Sequence, residues 1–387
     1  MHWTNGILGR KIIAYPQTNR RRGAKHKTCA ANTLAKCNLM TTILSFSPAQ
    51  ATYSTEISAL DRKSTDVVVG IAKRILAEVM MFRRVPAGAA VCNAGCEKCA
   101  FPPLQKIIKA IKQNAPVTFI LPAFPGKSPN PEKVLGPLPD HAERLSLSFL
   151  GALCQRIKSI YKPGIKIILC SDGRVFSDVV AMKESDITDY QIEINQLIRE
   201  LSVSNITVFN LDHFYKGLHF AQMRDELMKT YGQSLDFLKQ KIRNGAHPFA
   251  TPEEQEATRM YSGITRFLFE DATHAGQTRS RSAVQKEARL KAYEVIRRSN
   301  AWSALLSEHF PDAVRLSIHP QTCGSTKLGI RLIGNESWMT PWHGVAVEGE
   351  EGYTLLKRSE AEALGATLVY SANGRPSHYK LTREAKS

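Results

Sequence analysis

The 387-residue sequence has no apolar run of the roughly 20 residues needed to cross a bilayer. It also lacks the paired Cys/His spacing of a zinc finger, the aromatic RNA-recognition signature and a basic-helix dimer pattern. Acid is missing from one stretch entirely. Residues 1–39 contain no Asp or Glu, but carry eight basic side chains: Arg10, Lys11, Arg20, Arg21, Arg22, Lys25, Lys27 and Lys36. Subtracting those eight from the formal net charge of +17 leaves +9 for the rest of the chain. That surplus suits an enzyme with an anionic substrate as well as it suits a nucleic-acid binder. An Arg-rich, acid-free start fits a transit peptide. The favoured reading is a disordered basic tail over residues 1–50, or a true start at Met40, where "MTTILSFSPAQ" reads as an ordinary beginning.

A P-loop is missing too, although its last letters are present. The stretch "VTFILPAFPGKSPNP" (117–131) carries Gly126-Lys127-Ser128 directly after an apolar run. The phosphate-binding pattern needs a second glycine five residues earlier, and that position is Leu121. Pro122 and Pro125 remove backbone donors, and Ser128 and Asn130 each precede a proline, which disfavours helical geometry. The stretch is an extended loop after a strand, which argues against a P-loop NTPase.

What is present reads as an α/β chain. Val117–Leu121, Ile165–Cys170 and Ile206–Leu211 are continuous apolar runs of strand length. Between them lie a helix opened by Asp140 and running to about Tyr161, and a helix around 184–201. Apolar strands alternating with amphipathic helices predict a mainly parallel, Rossmann-like sheet covered on both faces. Helices are expected around 219–229, 233–243, 253–270 and 283–306, with Pro252 opening the third. Short β-like pieces then appear at 314–319, 328–333, 344–347, 353–356 and 367–370, with a short helix near 358–364. The expected organisation is one catalytic domain over 51–387: a βαβαβ core at about 117–212, a helical middle section at 215–306 and a β-rich extension at 314–380.

Ligands of open α/β sheets bind beyond the carboxyl ends of the strands. Three segments end there: "PAFPGKSPN" with Lys127 and Ser128, "SDGRVFSD" with Asp172, Arg174 and Asp178, and "NLDHF" with Asp212 and His213. Cations on such a rim suit a phosphate or carboxylate, and carboxylates suit proton transfer. Each charge taken singly is more often a loop-stabilising ion pair; the convergence is what marks a site. The C-terminal section adds His319 in "IHPQ", His343 in "WMTPWHGV", and Arg375 and His378 in "NGRPSHYKL". Eight cysteines come without a visible signal peptide, so disulfides are not expected. Cys92, Cys96 and Cys99 cluster as C-x3-C-x2-C, but no fourth ligand follows at finger-like spacing, so they read as loop thiols ahead of a helix, with no metal.

The segments "LPAFPGKSPN", "KVLGPLPDHAERLSLSFL", "IILCSDGRVFSD", "RFLFED", "VRLSIHPQ", "TPWHGV" and "GRPSHY" together resemble the isonitrile (isocyanide) synthases, also called pyoverdine/dityrosine biosynthesis proteins. They span roughly residues 90–380. The resemblance implies a Rossmann-like core and a metal-free, cofactor-free reaction of L-tyrosine or L-tryptophan with ribulose 5-phosphate, in which the amino nitrogen and the sugar's C2 become the isonitrile. It further implies a cytoplasmic enzyme of secondary metabolism, acting on small molecules rather than nucleic acid or membrane. Its functional partner is expected to be an Fe(II)/2-oxoglutarate-dependent oxygenase. On that reading Lys127, Ser128 and Arg174 clamp the phosphate, Arg375 takes the amino-acid carboxylate, and Asp178 and His319 contact substrate. Asp172, His343 and His378 move protons. The alternatives are an N-formyl-tyrosine, dityrosine-type enzyme and a basic α/β nucleotide- or nucleic-acid-binding protein.

Overall fold

The three apolar runs pair side by side as parallel strands: β1 (Val117–Leu121), β2 (Ile165–Cys170) and β3 (Ile206–Phe209). Two later strands, β4 (Val314–Ser317) and β5 (Leu328–Gly329), extend the opposite edge in parallel. The result is a five-stranded sheet in the order β3-β2-β1-β4-β5. These relations come from a computed structural model that describes residues 65–86, 96–334, 337 and 339–381, all within the unit Ile57–Ser387. The basic stretch over 1–50, together with Cys29, Cys37 and Cys92, lies outside the described residues.

Strand residues alternate between faces, which is why the runs are apolar throughout. Phe119, Leu121, Ile167 and Leu169 pack with Ile75 of α1 (65–80), Ile107 of α2 (Glu97–Lys112), Leu147 and Leu150 of α3 (His141–Ile160) and Ile194 of α5 (Glu184–Glu200). Ile120, Ile168 and Cys170 point the other way. They meet Val175 of α4 (Gly173–Val180), Leu211 of α6 (Leu211–Phe214), Met223 of α7 (Phe220–Tyr231) and Trp302 of α10 (Arg281–His309). Two further helices, α8 (Leu235–Asn244) and α9 (Pro252–Asp271), complete the helical section against α10.

Local signals in the sequence account for the helix starts. Asp140 caps α3 by accepting from Ala142 N at 2.8 Å, while its own N–H donates to Glu143 at 3.0 Å, a reciprocal capping box. Thr251 and Glu254 do the same for α9, with Pro252 at its first position.

The C-terminal section divides between two sheets. Only β4 and β5 join the core sheet. The rest forms a separate mixed sheet, β7-β6-β9-β8, from β6 (Val345–Gly349), β7 (Gly352–Leu356), β8 (Thr367–Tyr370) and β9 (Pro376–Lys380), with α11 (Arg358–Ala363) between β7 and β8. The segment holding Arg375, His378 and Tyr379 supplies β9, which pairs in parallel with β6 and antiparallel with β8. Pro376 hides the strand from a propensity reading because proline is unfavourable in sheet interiors.

The path after β2 bears on the site. "SDGRVFSD" enters α4 immediately after β2. Gly173 makes this possible: a Cβ there would lie 1.8 Å from the Pro125 carbonyl oxygen, so α4 starts pressed against the loop after β1. Among the described residues, no helix is long and apolar enough to cross a membrane.

Candidate active site at the carboxyl ends of the parallel strands

The loop after β1 is extended, and no helix begins at Lys127. Lys127 turns inward. Its ammonium contacts Asp140 at 2.8 Å, Glu143 at 2.8 Å and the Pro341 carbonyl at 2.9 Å, so all three donors are engaged and the side chain is buried. Burial works against the charge, but Asp140 and Glu143 outweigh it and raise the Lys127 pKa. Burial also pushes Glu143 up, against the pull of Lys127, and Tyr190 Oη donates to the same carboxyl at 3.1 Å. Here the structure differs from the expected phosphate clamp, since Lys127 has no donor left to offer. Ser128 is likewise engaged, donating to Asp271 at 3.0 Å while its N–H bonds the Trp342 carbonyl at 2.8 Å.

Beside it stands a second buried pair. Lys133 meets Asp271, the last residue of α9, at 2.5 Å and lies 5.4 Å from the Phe267 ring centre. His343 packs edge-on against Phe267 at 4.8 Å and its Nδ1 is 2.9 Å from Thr340 Oγ1. Burial drives the His343 pKa down to about 4; Lys133, His319 and Lys127 add to the depression and Asp271 opposes it. The imidazole is therefore neutral at pH 7.

The ends of β2 and β4 supply a third group. Burial raises the Asp172 carboxyl to about 7, against the pull of its own backbone N–H and of Arg315. Arg315, on β4, donates to Ser303 Oγ at 3.2 Å, while its buried Nε has no hydrogen-bond partner among the described residues. Burial lowers the pKa values of both Arg315 and Lys327, and each is a positive charge near the other. His319 is open to solvent, yet the protein around it, Arg84 and Lys327 all push its pKa down.

These groups form one electrostatic chain. His343 feels His319, His319 feels Lys327, Lys327 feels Arg315, and Arg315 feels Asp172. The arrangement is a cationic wall with one carboxyl poised near neutrality and one neutral imidazole. It can hold an anion and move protons beside it.

Four expected site residues are drawn elsewhere. Arg174 is buried, bonded to Asp212 at 2.8 Å, Glu184 at 3.1 Å and Thr188 at 2.9 Å, with Phe220 stacked 3.8 Å from its guanidinium. Asp178 pairs with Arg298 at 2.5 and 3.0 Å. Arg375 makes a bidentate pair with Glu193 at 2.7 and 2.9 Å. His378, on β9, lies between His141 (4.9 Å) and Tyr353 (5.5 Å). Conversely, Lys133, Asp271, Arg315 and Lys327 went unremarked in the sequence. All but Lys327 sit inside or beside the quoted segments "KVLGPLPD", "RFLFED" and "VRLSIHPQ", which was the one signal available.

The described residues hold one group suited to a metal. Cys96, Cys99 and Cys323 bring their sulfurs within 4.8 Å of one another. The third thiol comes from the loop between β4 and β5, 224 residues beyond Cys99, which is why a search at finger-like spacing misses it. Cys99 accepts from Arg83 at 3.2 Å and from the Gly324 N–H at 3.3 Å. Burial opposes the thiolate, but these donors and the two neighbouring thiols bring the Cys99 pKa to about 7.

Fold and site together define an α/β protein with buried charged groups gathered beyond the carboxyl ends of a parallel sheet. The chain belongs to the pyoverdine/dityrosine biosynthesis protein family, whose pattern matches residues 107–369. It is 43% identical over 316 residues to an L-tryptophan isonitrile synthase of Fischerella ambigua, covering 81% of this chain and 93% of that one. It is 42% identical over 322 residues to an L-tyrosine isonitrile synthase of Xenorhabdus nematophila, covering 82% and 93%. The crystal structure of the PvcA protein from Pseudomonas aeruginosa superposes with a TM-score of 0.75 at 42% identity, over 81% of this chain and all of that one.

Replacing Lys127 separates a buried ion pair from a substrate clamp. Lys127→Met strands Asp140 and Glu143 without their cation and is expected to cost about 3–5 kcal/mol of stability, read by chemical denaturation at pH 8. A variant of unchanged stability with a raised KM for the anionic substrate would instead restore the clamp.

Proposed function

We propose that this chain is an isonitrile synthase that joins the amino group of L-tyrosine or L-tryptophan to C2 of ribulose 5-phosphate. The reading rests on relatives above 40% identity that are named L-tryptophan and L-tyrosine isonitrile synthases. It rests equally on one observation in the cleft: Arg315 and Lys327 are cations crowded together with no ion pair between either and a carboxylate among the described residues. A phosphate dianion relieves that crowding. In this arrangement Arg315 and Lys327, with His319 beside them, take the phosphate role first expected of Lys127, Ser128 and Arg174.

Asp172 then acts as the base. It takes a proton from the amino-acid ammonium, the freed nitrogen adds to the C2 ketone, and loss of water gives an imine. Neutral His343, supported by Thr340, supplies and receives protons on the opposite side of the substrate. Arg375 and His378 have no part in this scheme. The product, an electron-rich isonitrile, suits consumption by an oxidising enzyme of the Fe(II)/2-oxoglutarate class.

Incubation of purified protein with ribulose 5-phosphate labelled at C2 and either aromatic amino acid tests the activity. The expected result is a labelled isonitrile, or its formamide hydrolysis product, by mass spectrometry. No labelled product with any proteinogenic amino acid contradicts the proposal.

The Asp172 carboxyl gives the pH dependence. As a base it works only when ionised, so kcat/KM is expected to rise about tenfold per pH unit below about 7 and to flatten above. Its raised pKa also has a stability consequence. The unfolded chain loses this proton at lower pH than the folded one, so the group's stabilising contribution is lost as pH rises through about 7. Asp172→Asn should therefore lose activity by at least roughly 100-fold while resisting denaturant better than wild type at pH 8. An active variant, or an unchanged pH profile, removes Asp172 from the role.

A further inference from the structure

The thiol cluster at the start of α2 is distinct from the groups assigned to chemistry. Cys96 is the residue that precedes the first turn of α2, and Cys99 lies within that turn. Cys323 reaches them from a turn closed by Gly324, whose φ of +82° lets the backbone N–H point at Cys99 Sγ. The sulfur of Cys323 is 3.6 Å from those of both Cys96 and Cys99. A disulfide requires about 2.05 Å, so these contacts are not disulfide bonds. Thiolates bound to one tetrahedral zinc at about 2.3 Å have sulfurs about 3.8 Å apart, so the observed edges need only a few tenths of an ångström of expansion.

Two features go beyond ordinary packing of thiols. First, Cys99 receives two N–H donors, from Arg83 and Gly324. Such donors stabilise a thiolate and orient a metal ligand. Second, the three side chains are graded in exposure, with Cys99 buried, Cys96 intermediate and Cys323 exposed. An ion has a path in from solvent. Buried structural cysteines such as Cys154 and Cys170 differ on this point: burial raises both to about 12 and holds them as thiols.

We propose that Cys96, Cys99 and Cys323 bind one zinc-class cation as thiolates, tying the first turn of α2 to the loop between β4 and β5. That loop also carries His319 and Lys327, four residues to either side of Cys323. On the functional reading above, the ion fixes the part of the cleft that receives the phosphate. The metal site itself is argued from the sulfur geometry and does not depend on that reading.

The test uses the full chain, purified under a non-chelating reductant and supplied with zinc, then with cobalt(II). The expected content is about one ion per chain, and cobalt should give the intense near-ultraviolet absorption of thiolate coordination. Cys99→Ser and Cys323→Ser should lower the bound metal by at least tenfold, while Cys154→Ala keeps it. Circular dichroism shows whether each variant is folded. A second measurement needs no substitution: zinc should protect Cys96, Cys99 and Cys323 from iodoacetamide, mapped by peptide mass. Three results overturn the proposal: cobalt without thiolate absorption, metal retained in a folded Cys99→Ser/Cys323→Ser variant, or equal alkylation of the three cysteines with and without zinc. Isonitrile formation is not the readout, so failure of the metal site and failure of the proposed activity are seen separately.

Discussion

The structure around the cleft depends on one buried charge, the ammonium of Lys127. It joins three separate pieces of chain: the loop after β1, the first turn of α3 through Asp140 and Glu143, and the Pro341 carbonyl next to His343. Taking these charges out of water is costly, and only the completeness of the contacts offsets it. Asp140 is at once the cation's partner and the cap of α3, so the ion pair and the helix start constrain each other. Burial raises the Glu143 carboxyl to about 7, and the neighbouring Asp140 carboxyl adds to the rise against the pull of Lys127.

With that frame in place, the remaining charges in the cleft divide by what satisfies them. Lys133 is paired with Asp271 and Arg174 with Asp212 and Glu184; these hold elements together. Arg315 bonds Ser303, and neither it nor Lys327 has an ion pair with a carboxylate among the described residues; burial lowers the pKa of both. Stability and function draw on similar residue types here, and what separates them is whether a partner already sits within hydrogen-bond reach. Asp172 follows the same pattern: a carboxyl held near neutrality is disfavoured in the fold, and it suits the proton transfer proposed for it.

Much of the fold was legible in the sequence because it is written in local pattern. The apolar runs at 117–121, 165–170 and 206–211 (the last a strand only as far as Phe209), the Asp140 start of α3 and the Pro252 start of α9 each follow from neighbours in sequence. The site was less legible because its assignments are distant. Asp172, His319 and His343 do lie along one electrostatic chain, but the Lys127 side chain could not be turned inward without knowing that Pro341 closes over it. Arg375 read as a free cation until Glu193, 182 residues away, was placed against it. Cys323 joins Cys96 and Cys99 only through the β4–β5 connection. Charges and thiols are therefore visible in a sequence, but their partners are a property of the fold.

The central claim is that the anion binds at Arg315 and Lys327 rather than at the Gly-Lys-Ser segment. A crystal structure of the protein with ribulose 5-phosphate bound tests it directly. The account predicts the phosphate within hydrogen-bond distance of Arg315 and Lys327, beside His319, with Lys127 still bonded to Asp140 and Glu143. A phosphate held by Lys127, Ser128 or Arg174, with their present ion pairs broken, would contradict it.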